Sequence, residues 1–429
     1  MLPECRKEGY LYEIPKCILE TRDVEDFVGE LKVYHSKFAD CFVRSEPRDN
    51  FYHYMVGQLS QLERKSIEPI AVNVSGKETV RSLQRTVTDA VWDESKMVSI
   101  HQTMVADEMG ESDGVLMFDE SGFVKKGAMS AGVARQYCGT IGKVENCQVG
   151  VFMGYASRKG YALVDTRLYL PEQWFGEEYA VKRKKSGVPS DLSFKTKPRL
   201  AADMLLACYR QGNLPFKYIV ADTVYGNNEE FLEAAEQCVG KTYFVSLPAD
   251  TLCWRQRPMT TVKTYRYNGE ERTKRVLKSP KKELITCEHV ATTRHTWFWF
   301  KRTVSEGTKG PIEYEFTRCQ VTLAKDGLPW KTVWLVIKRT REDTPRYWYY
   351  VSNASTSVRL SLFVWLSGIR WAIEQCFEET KGEVGMDHYE VRKYSGWYHH
   401  MLTCLLAHFF CGISNSRWEN GLRVSLCLN

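Results

Sequence analysis

Apolar residues recur at helical spacing through the first hundred positions. Val24 to Phe42 and Arg48 to Lys65 each carry an apolar stripe, the second opened by the start signal Ser45-Glu-Pro47. Val80 to Trp92 repeats the pattern after a turn at Ser75 to Glu78. A small helical bundle with basic edges is predicted over 1–98, suited either to binding nucleic acid or only to packing.

From Val115 the pattern changes to short unbroken apolar runs. Val115-Leu-Met-Phe-Asp119 and Tyr218-Ile-Val-Ala-Asp222 are such runs, each ending on an aspartate, and each predicts a buried strand. Gln148 to Tyr155, Lys159 to Leu170 and Lys241 to Leu247 predict further strands; Arg199 to Gln211 and Asn227 to Cys238 predict helices. The order β-β-β-α-β-α-β over 99–249 is that of a mixed α/β layer.

Between 250 and 356 the rhythm becomes that of a β-rich insertion. The runs Thr292 to Arg302, Tyr314 to Leu323, Thr332 to Lys338 and Arg346 to Val351 read as strands, with turn signals at Asn268-Gly269 and Asp326-Gly327. Helical periodicity returns over Val358 to Gly385 and again over Gly396 to Phe410, within a last segment 357–429.

Composition adds bounds. A chain of 429 residues with 43% hydrophobic and 26% charged residues is an ordinary globular one of several domains. The 14 cysteines include no Cys-x-x-Cys pair and several fall in apolar segments, so buried free thiols are expected. No apolar run reaches membrane-spanning length, the start Met1 to Tyr10 is no signal peptide, and no Gly-rich phosphate loop implies ATP.

The net charge of +6 permits a polyanionic partner without demanding one. Its distribution is more telling: Lys182 to Lys185, then Lys195, Lys197 and Arg199, then Arg272, Lys274, Arg275, Lys278, Lys281 and Lys282. Any one cluster is equally a solvated loop; several around one site would form a phosphate track.

The candidate chemistry rests on carboxylates. Asp119 and Asp222 stand at the carboxyl ends of strands, where α/β sheets form their sites. Arg370, Glu374 and Lys381 have the i, i+4, i+11 spacing of one helix face, which also suits a salt-bridged surface. Three carboxylates suit two Mg²⁺ ions about 3.5–4 Å apart, as phosphodiester cleavage requires, with Mn²⁺ as a substitute. Arg370 and Lys381 would grip flanking phosphates.

These residues carry a resemblance. Phe118 to Gly127, Gly132 to Lys143 and Asn146 to Gly150 resemble the first catalytic block of bacterial insertion-sequence transposases of the 701 type. Val220 to Gly226 is similar to their second block. The Arg370, Glu374, Lys381 spacing matches their third, a Tyr-Arg-Glu-Lys signature, and Asp387 to Arg392 is similar to the segment after that block. The resemblance covers roughly residues 115–410. It implies an RNase H-like mixed sheet flanked by helices, interrupted by a β-rich insertion, with a helical N-terminal domain. It also implies a DDE triad of Asp119, Asp222 and Glu374, supported by Arg370 and Lys381. The signature's Tyr is Ser367 here, which puts the contact made by that Tyr in doubt, and a second Asp common after the first catalytic one is Glu120.

Further contacts are expected to be secondary. Lys125 and Lys126 would touch DNA, and Trp371, Trp297 and Trp299 would stack on an unpaired base unless they are core residues. His388 reads as a packing residue. The resemblance implies metal-dependent excision and integration by cut-and-paste, through a hairpin intermediate, at terminal inverted repeats and target DNA. A homodimer formed on DNA in the bacterial cytoplasm, at the nucleoid, is the matching assembly. Two rivals stay open: a DNA-binding protein derived from a transposase, and an RNase H-like nuclease without strand transfer.

Overall fold

A computed structural model describes residues 21–278, 283–307 and 310–419. The described chain forms two compact units, one of residues 21–217 with 371–419, here the helical unit, and one of 218–370, the strand unit.

The helical unit opens with α1 (Thr21–Ser36), α2 (Ser45–Leu59), α3 (Ile67–Val74), α4 (Val80–Thr88) and α5 (Glu94–Met109). The predicted stripe from Val24 to Phe42 ends early, because Ala39–Cys41 tightens into a 3₁₀ turn. Two helices were not legible as such. One is α3, eight residues long; the other is α5, which Asp93 caps by accepting the Lys96 N–H at 2.9 Å.

Next comes an antiparallel meander: β1 (Val115–Val124), β2 (Ala134–Cys138), β3 (Lys143–Ala156) and β4 (Tyr161–Tyr169). Strand β3 is its centre, paired to β1, β2 and β4. It is buried along ten successive residues because helices cover the meander. Then follow α6 (Ala180–Lys185) and α7 (Lys197–Gln211), the latter capped by Thr196 with Pro198 in its first turn.

The strand unit begins with β5 (Tyr218–Ala221), α8 (Thr223–Gly226), α9 (Glu229–Gln237) and β6 (Thr242–Leu247). Strands β5 and β6 are parallel, joined through the helices as a crossover requires. The stretch expected as an insertion holds β7 (Leu252–Trp254), β8 (Thr260–Tyr267), β9 (Glu270–Leu277), β10 (Ile285–Thr286), α10 (Cys287–Thr292), β11 (Phe300–Gly307), β12 (Gly310–Lys325), β13 (Leu328–Arg339) and β14 (Tyr347–Ser352). Most of these strands extend the β5–β6 sheet: β14 pairs β6, β13 pairs β14 and β12 pairs β13. Strands β8 and β9 instead pair, among the described residues, only with each other. Both Gly turn signals made tight hairpins, with φ of 49° at Asn268, 82° at Gly269, 50° at Asp326 and 73° at Gly327. Thr292 to Arg302 is not one strand. It ends α10, makes a 3₁₀ turn at Thr296–Phe298 and only then enters β11.

The helix expected over Val358 to Gly385 is two: α11 (Leu360–Ile369) closes the strand unit and α12 (Trp371–Val384) resumes the helical one. The last helix is α13 (Tyr394–Glu419). It is buried at Trp397, Met401, Leu402, Cys404 to Ala407, Phe409 and Phe410, so it is apolar all round, as a central core helix must be. Helices α1, α2, α4 and α5 surround it. Trp92 stacks on His399 with centroids 4.1 Å apart, Tyr54 Oη bonds His400 Nδ1 at 2.8 Å, and Tyr34 Oη donates to the Leu406 carbonyl at 3.0 Å. The described cysteines are free and mostly buried, and no described helix is long and apolar enough to cross a membrane.

The fold is thus mixed α/β, with the parts of an RNase H-like layout in chain order: an antiparallel group of four strands, then a parallel pair joined through helices, then a closing helix.

Candidate active site

Asp119 lies in β1, where the strand passes from fully buried residues to half-exposed ones. Its Oδ1 accepts the Glu120 N–H at 2.8 Å, which fixes the carboxylate before any ligand arrives. Glu120 is itself held by Lys197 Nζ at 2.9 Å. Lys197 belongs to a basic stretch legible in the sequence, but its place beside the first aspartate was not.

Helix α12 lies along the face of β1 that Asp119 occupies. Residues opposite each other on antiparallel strands share a face, so Phe152, opposite Asp119, points the same way. Its ring meets Phe377 of α12 edge-on with centroids 5.2 Å apart. Two pairs earlier, on the same face, Met117 stands opposite Gly154; a Cβ on Gly154 would meet Met117 at 3.1 Å and Ile373 at 3.4 Å, so glycine lets the helix settle on the strand. Further along, Lys381 Nζ stands 5.5 Å from the centre of the Phe123 ring and 3.2 Å from Thr140 Oγ1. Helix α12, which carries exposed Glu374 and half-buried Lys381, therefore lies on the side of β1 that Asp119 occupies. Burial lowers the Lys381 pKa, and the Asp387 carboxylate pulls it back up.

A polar cluster anchors α12 from behind. Glu379 accepts from Tyr161 Oη at 2.7 Å, Gln375 Nε2 at 2.9 Å and His408 Nε2 at 2.8 Å. Burial works against the charge, but these bonds outweigh it and lower the Glu379 pKa.

In the strand unit, Asp222 ends β5 and caps α8, its Oδ1 accepting the Val224 N–H at 2.9 Å. Gly226 belongs to the same motif for a steric reason: an added Cβ would stand 2.1 Å from the Ser246 carbonyl. Arg370 is the last residue of this unit and the C-cap of α11. It therefore does not share a continuous helix with Glu374 and Lys381, as the spacing had suggested. Its charge acts on Lys338, whose pKa falls to about 8, first through burial and then through Arg370.

The motif residues after β1 gain physical roles. Asn146 Nδ2 straps the following loop by donating to the Lys125 and Gly127 carbonyls. Gln148 Nε2 donates to the Ala131 carbonyl at 2.6 Å and its Oε1 accepts from Tyr389 Oη at 2.8 Å.

The five expected DNA contacts are placed differently from one another. Lys125 is turned inward, 3.3 Å over the Tyr389 ring and donating to the Tyr389 carbonyl at 2.9 Å. Burial pushes its pKa down to about 7, with Asp387 and Glu390 opposing, so it is not a solvent-facing phosphate contact; Lys126 is exposed. Trp299 is only 8% exposed, packed 4.0 Å from the Arg339 guanidinium, and offers no face to a base. Trp297 and Trp371 are 68% and 58% exposed, Trp297 stacked on His295 and Trp371 edge-on to Tyr161. His388 accepts the Lys65 N–H at 3.1 Å, a packing role.

Among the described residues no three His, Cys, Asp or Glu side chains form a group able to hold a metal ion. Asp119 and Glu374 lie in the helical unit and Asp222 in the strand unit. Each alone is a hard oxygen donor at least partly open to solvent, which suits Mg²⁺ or Mn²⁺ and not a soft metal.

A fold of this class, with carboxylates at strand ends and on a closing helix, is that of polynucleotide-cleaving enzymes. The model of the DDE superfamily endonucleases matches residues 37–311, and the chain belongs to that family. A probable transposase for insertion sequence element IS701 from Microchaete diplosiphon is 24% identical over 380 residues, covering 84% of this chain and 80% of its own. This agrees with the resemblance read from the motifs. A looser likeness, carrying no argument, is to a solved piggyBac transposase synaptic complex with hairpin DNA, with a TM-score of 0.43 and 9% identity over 90% of this chain and 69% of that one.

Proposed function

We propose that the protein is an insertion-sequence transposase that excises and integrates DNA by cut-and-paste, with Asp119, Asp222 and Glu374 as its catalytic carboxylates. The observation that supports this reading is the seating of α12, the helix that bears Glu374, against the Asp119 face of β1 through Phe152 and Phe377.

The three carboxylates would hold Mg²⁺, whose chemistry when bound is to activate a water or DNA 3′-hydroxyl and to stabilise the leaving oxygen. Asp119 contributes a carboxylate oriented by the Glu120 N–H, and Asp222 one oriented by the Val224 N–H. Both enter the reaction already aimed, so little ordering remains to oppose binding. Lys381 would serve as a point charge for a flanking phosphate, and Arg370 as a bidentate grip. Exposed Trp297 and Trp371 are the candidates for stacking on a flipped base if a hairpin is opened.

The proposed domain layout is that of the sequence: 1–98 to recognise the terminal inverted repeats, 99–249 and 357–429 for catalysis, 250–356 as insertion. Arg81 and Arg85 on the exposed side of α4 support a DNA-facing role for the first. The assembly is a homodimer on paired ends.

Purified protein with labelled element ends and Mg²⁺ tests this. Nicks leaving 3′-hydroxyls, followed by joined products, are expected; both vanish with EDTA and in Glu374→Gln, while end binding persists. Cleavage of any duplex without joining would replace the transposase with a nuclease, and tight binding with no cleavage would replace it with a DNA-binding protein.

A further inference from the structure

Strands β8 and β9 form a two-stranded ribbon that buries neither face. Every residue from Val262 to Arg275 is exposed, and among the described residues the ribbon pairs with no other strand. A two-stranded ribbon of this kind is marginal in water unless something covers it. The Asn268-Gly269 turn gives it the right-handed twist of a tight hairpin, and its eight-residue strands span roughly 26 Å.

The two faces differ. On one, Lys263 stands opposite Lys274, Tyr265 opposite Arg272, and Tyr267 opposite Glu270. On the other, Val262 stands opposite Arg275, Thr264 opposite Thr273, and Arg266 opposite Glu271. Like charges directly opposite each other destabilise a ribbon, and Lys263 against Lys274 is such a pair on a hairpin with no core to offset it. Arg272 lies 5.0 Å over the Tyr267 ring and pairs with Glu270 at 3.2 Å, which keeps that end of the face ordered. Between Thr260 and Lys278 six cations stand against two carboxylates. A polyanion would relieve the repulsion and cover the face.

We infer that the Lys263–Arg272–Lys274 face of this ribbon docks in the major groove of duplex DNA. The groove is about 12 Å wide and admits a two-stranded ribbon, whose length here is most of one helical turn of about 34 Å. The cations reach the phosphates on either wall, and Tyr265 and Tyr267 lie toward the floor. This rests on the transposase reading for its partner and adds a second grip on DNA, remote in sequence from the carboxylates.

The test is fluorescence anisotropy of the full chain with a labelled duplex of about three helical turns, in EDTA and across about 50 to 200 mM salt. K263A/R272A/K274A should bind at least tenfold more weakly at the lower salt and lower the salt slope by roughly 2 to 3, since each lost phosphate contact removes about 0.9. K263R/R272K/K274R should restore the slope. R266A/R275A, on the other face, should leave it near wild type. All variants should keep the wild-type melting temperature, because the replaced side chains are solvent-exposed. Unchanged binding by the triple variant, alongside normal metal-dependent cleavage by the wild type, would overturn the ribbon contact and leave the transposase reading standing. Equal loss per charge from both faces would overturn it also, since diffuse attraction has no preferred face. A wild type that binds no duplex would overturn both.

Discussion

The strand that carries Asp119 and the ribbon of β8 and β9 are equally regular, and they serve opposite surroundings. Strand β1 has Val115 to Phe118 wholly buried and first becomes half-exposed where the aspartate sits, at Asp119 and Glu120. The ribbon has side chains alternating just as strictly, with water on both sides. In the first, position is fixed by packing: Phe152 and Ile373 decide where the carboxylates stand. In the second, no core fixes the side chains beyond the Arg272, Tyr267 and Glu270 contacts, and charge is the main feature that can select a partner. A reactive group needs the first setting, because it must be held; a phosphate grip works from the second, because counterion release needs no dry surroundings.

That contrast can be broken most forcefully in the meander. Phe152 is fully buried between Phe123 and Phe377, so Phe152→Ala should cost about 3–5 kcal/mol in a denaturant titration. It should also slow cleavage more than it weakens DNA binding, since α12 loses its seat. A loss below about 1 kcal/mol would mean the helix is held elsewhere.

Two neighbouring tryptophans of the strand unit, Trp297 and Trp299, sharpen the comparison. Trp299→Ala should destabilise by roughly 3 kcal/mol, Trp297→Ala by less than about 0.5. Melting curves check both, and the reverse order would contradict their assigned burial.

Acid tests the core of the helical unit. Burial lowers the pKa of His101 to about 4 and of His400 to about 3, below their ordinary 6.5. Below pH 6.5 the unfolded chain takes up protons that the folded chain refuses. The stability present above that pH is therefore lost as pH falls toward 4. In His400→Gln the slope between pH 6 and 4 should flatten by up to about 1.4 kcal/mol per unit relative to wild type; parallel profiles would refute the burial effect. The smallest effect is expected at the surface. Glu390→Gln removes the exposed Arg64 pair and should change stability by no more than about 0.5 kcal/mol.

Much of this was legible in the sequence. The runs ending at Asp119 and Asp222 became β1 and β5, and the hairpin signals at Asn268 and Asp326 made the expected turns. Less legible was what depends on tertiary contact. The break between α11 and α12 at Arg370 has no proline and only Ser367-Gly368 before it, so a 3.6-residue period was read through it. Lys125 reads as a surface cation and is drawn inward by Tyr389, and Trp299 is distinguished from Trp297 only by Arg339 and Tyr347 packed against it. Lys281 and Lys282 of the third basic stretch lie outside the described residues.

The central claim is that Asp222 joins Asp119 and Glu374 in holding the metal. The measurement that tests it most directly is cleavage of labelled element ends by Asp222→Cys in Mg²⁺ and in Mn²⁺. A thiolate is a poor ligand for hard Mg²⁺ and a better one for Mn²⁺. The account predicts no nicking in Mg²⁺ and partial recovery in Mn²⁺; wild-type nicking in Mg²⁺ would contradict it.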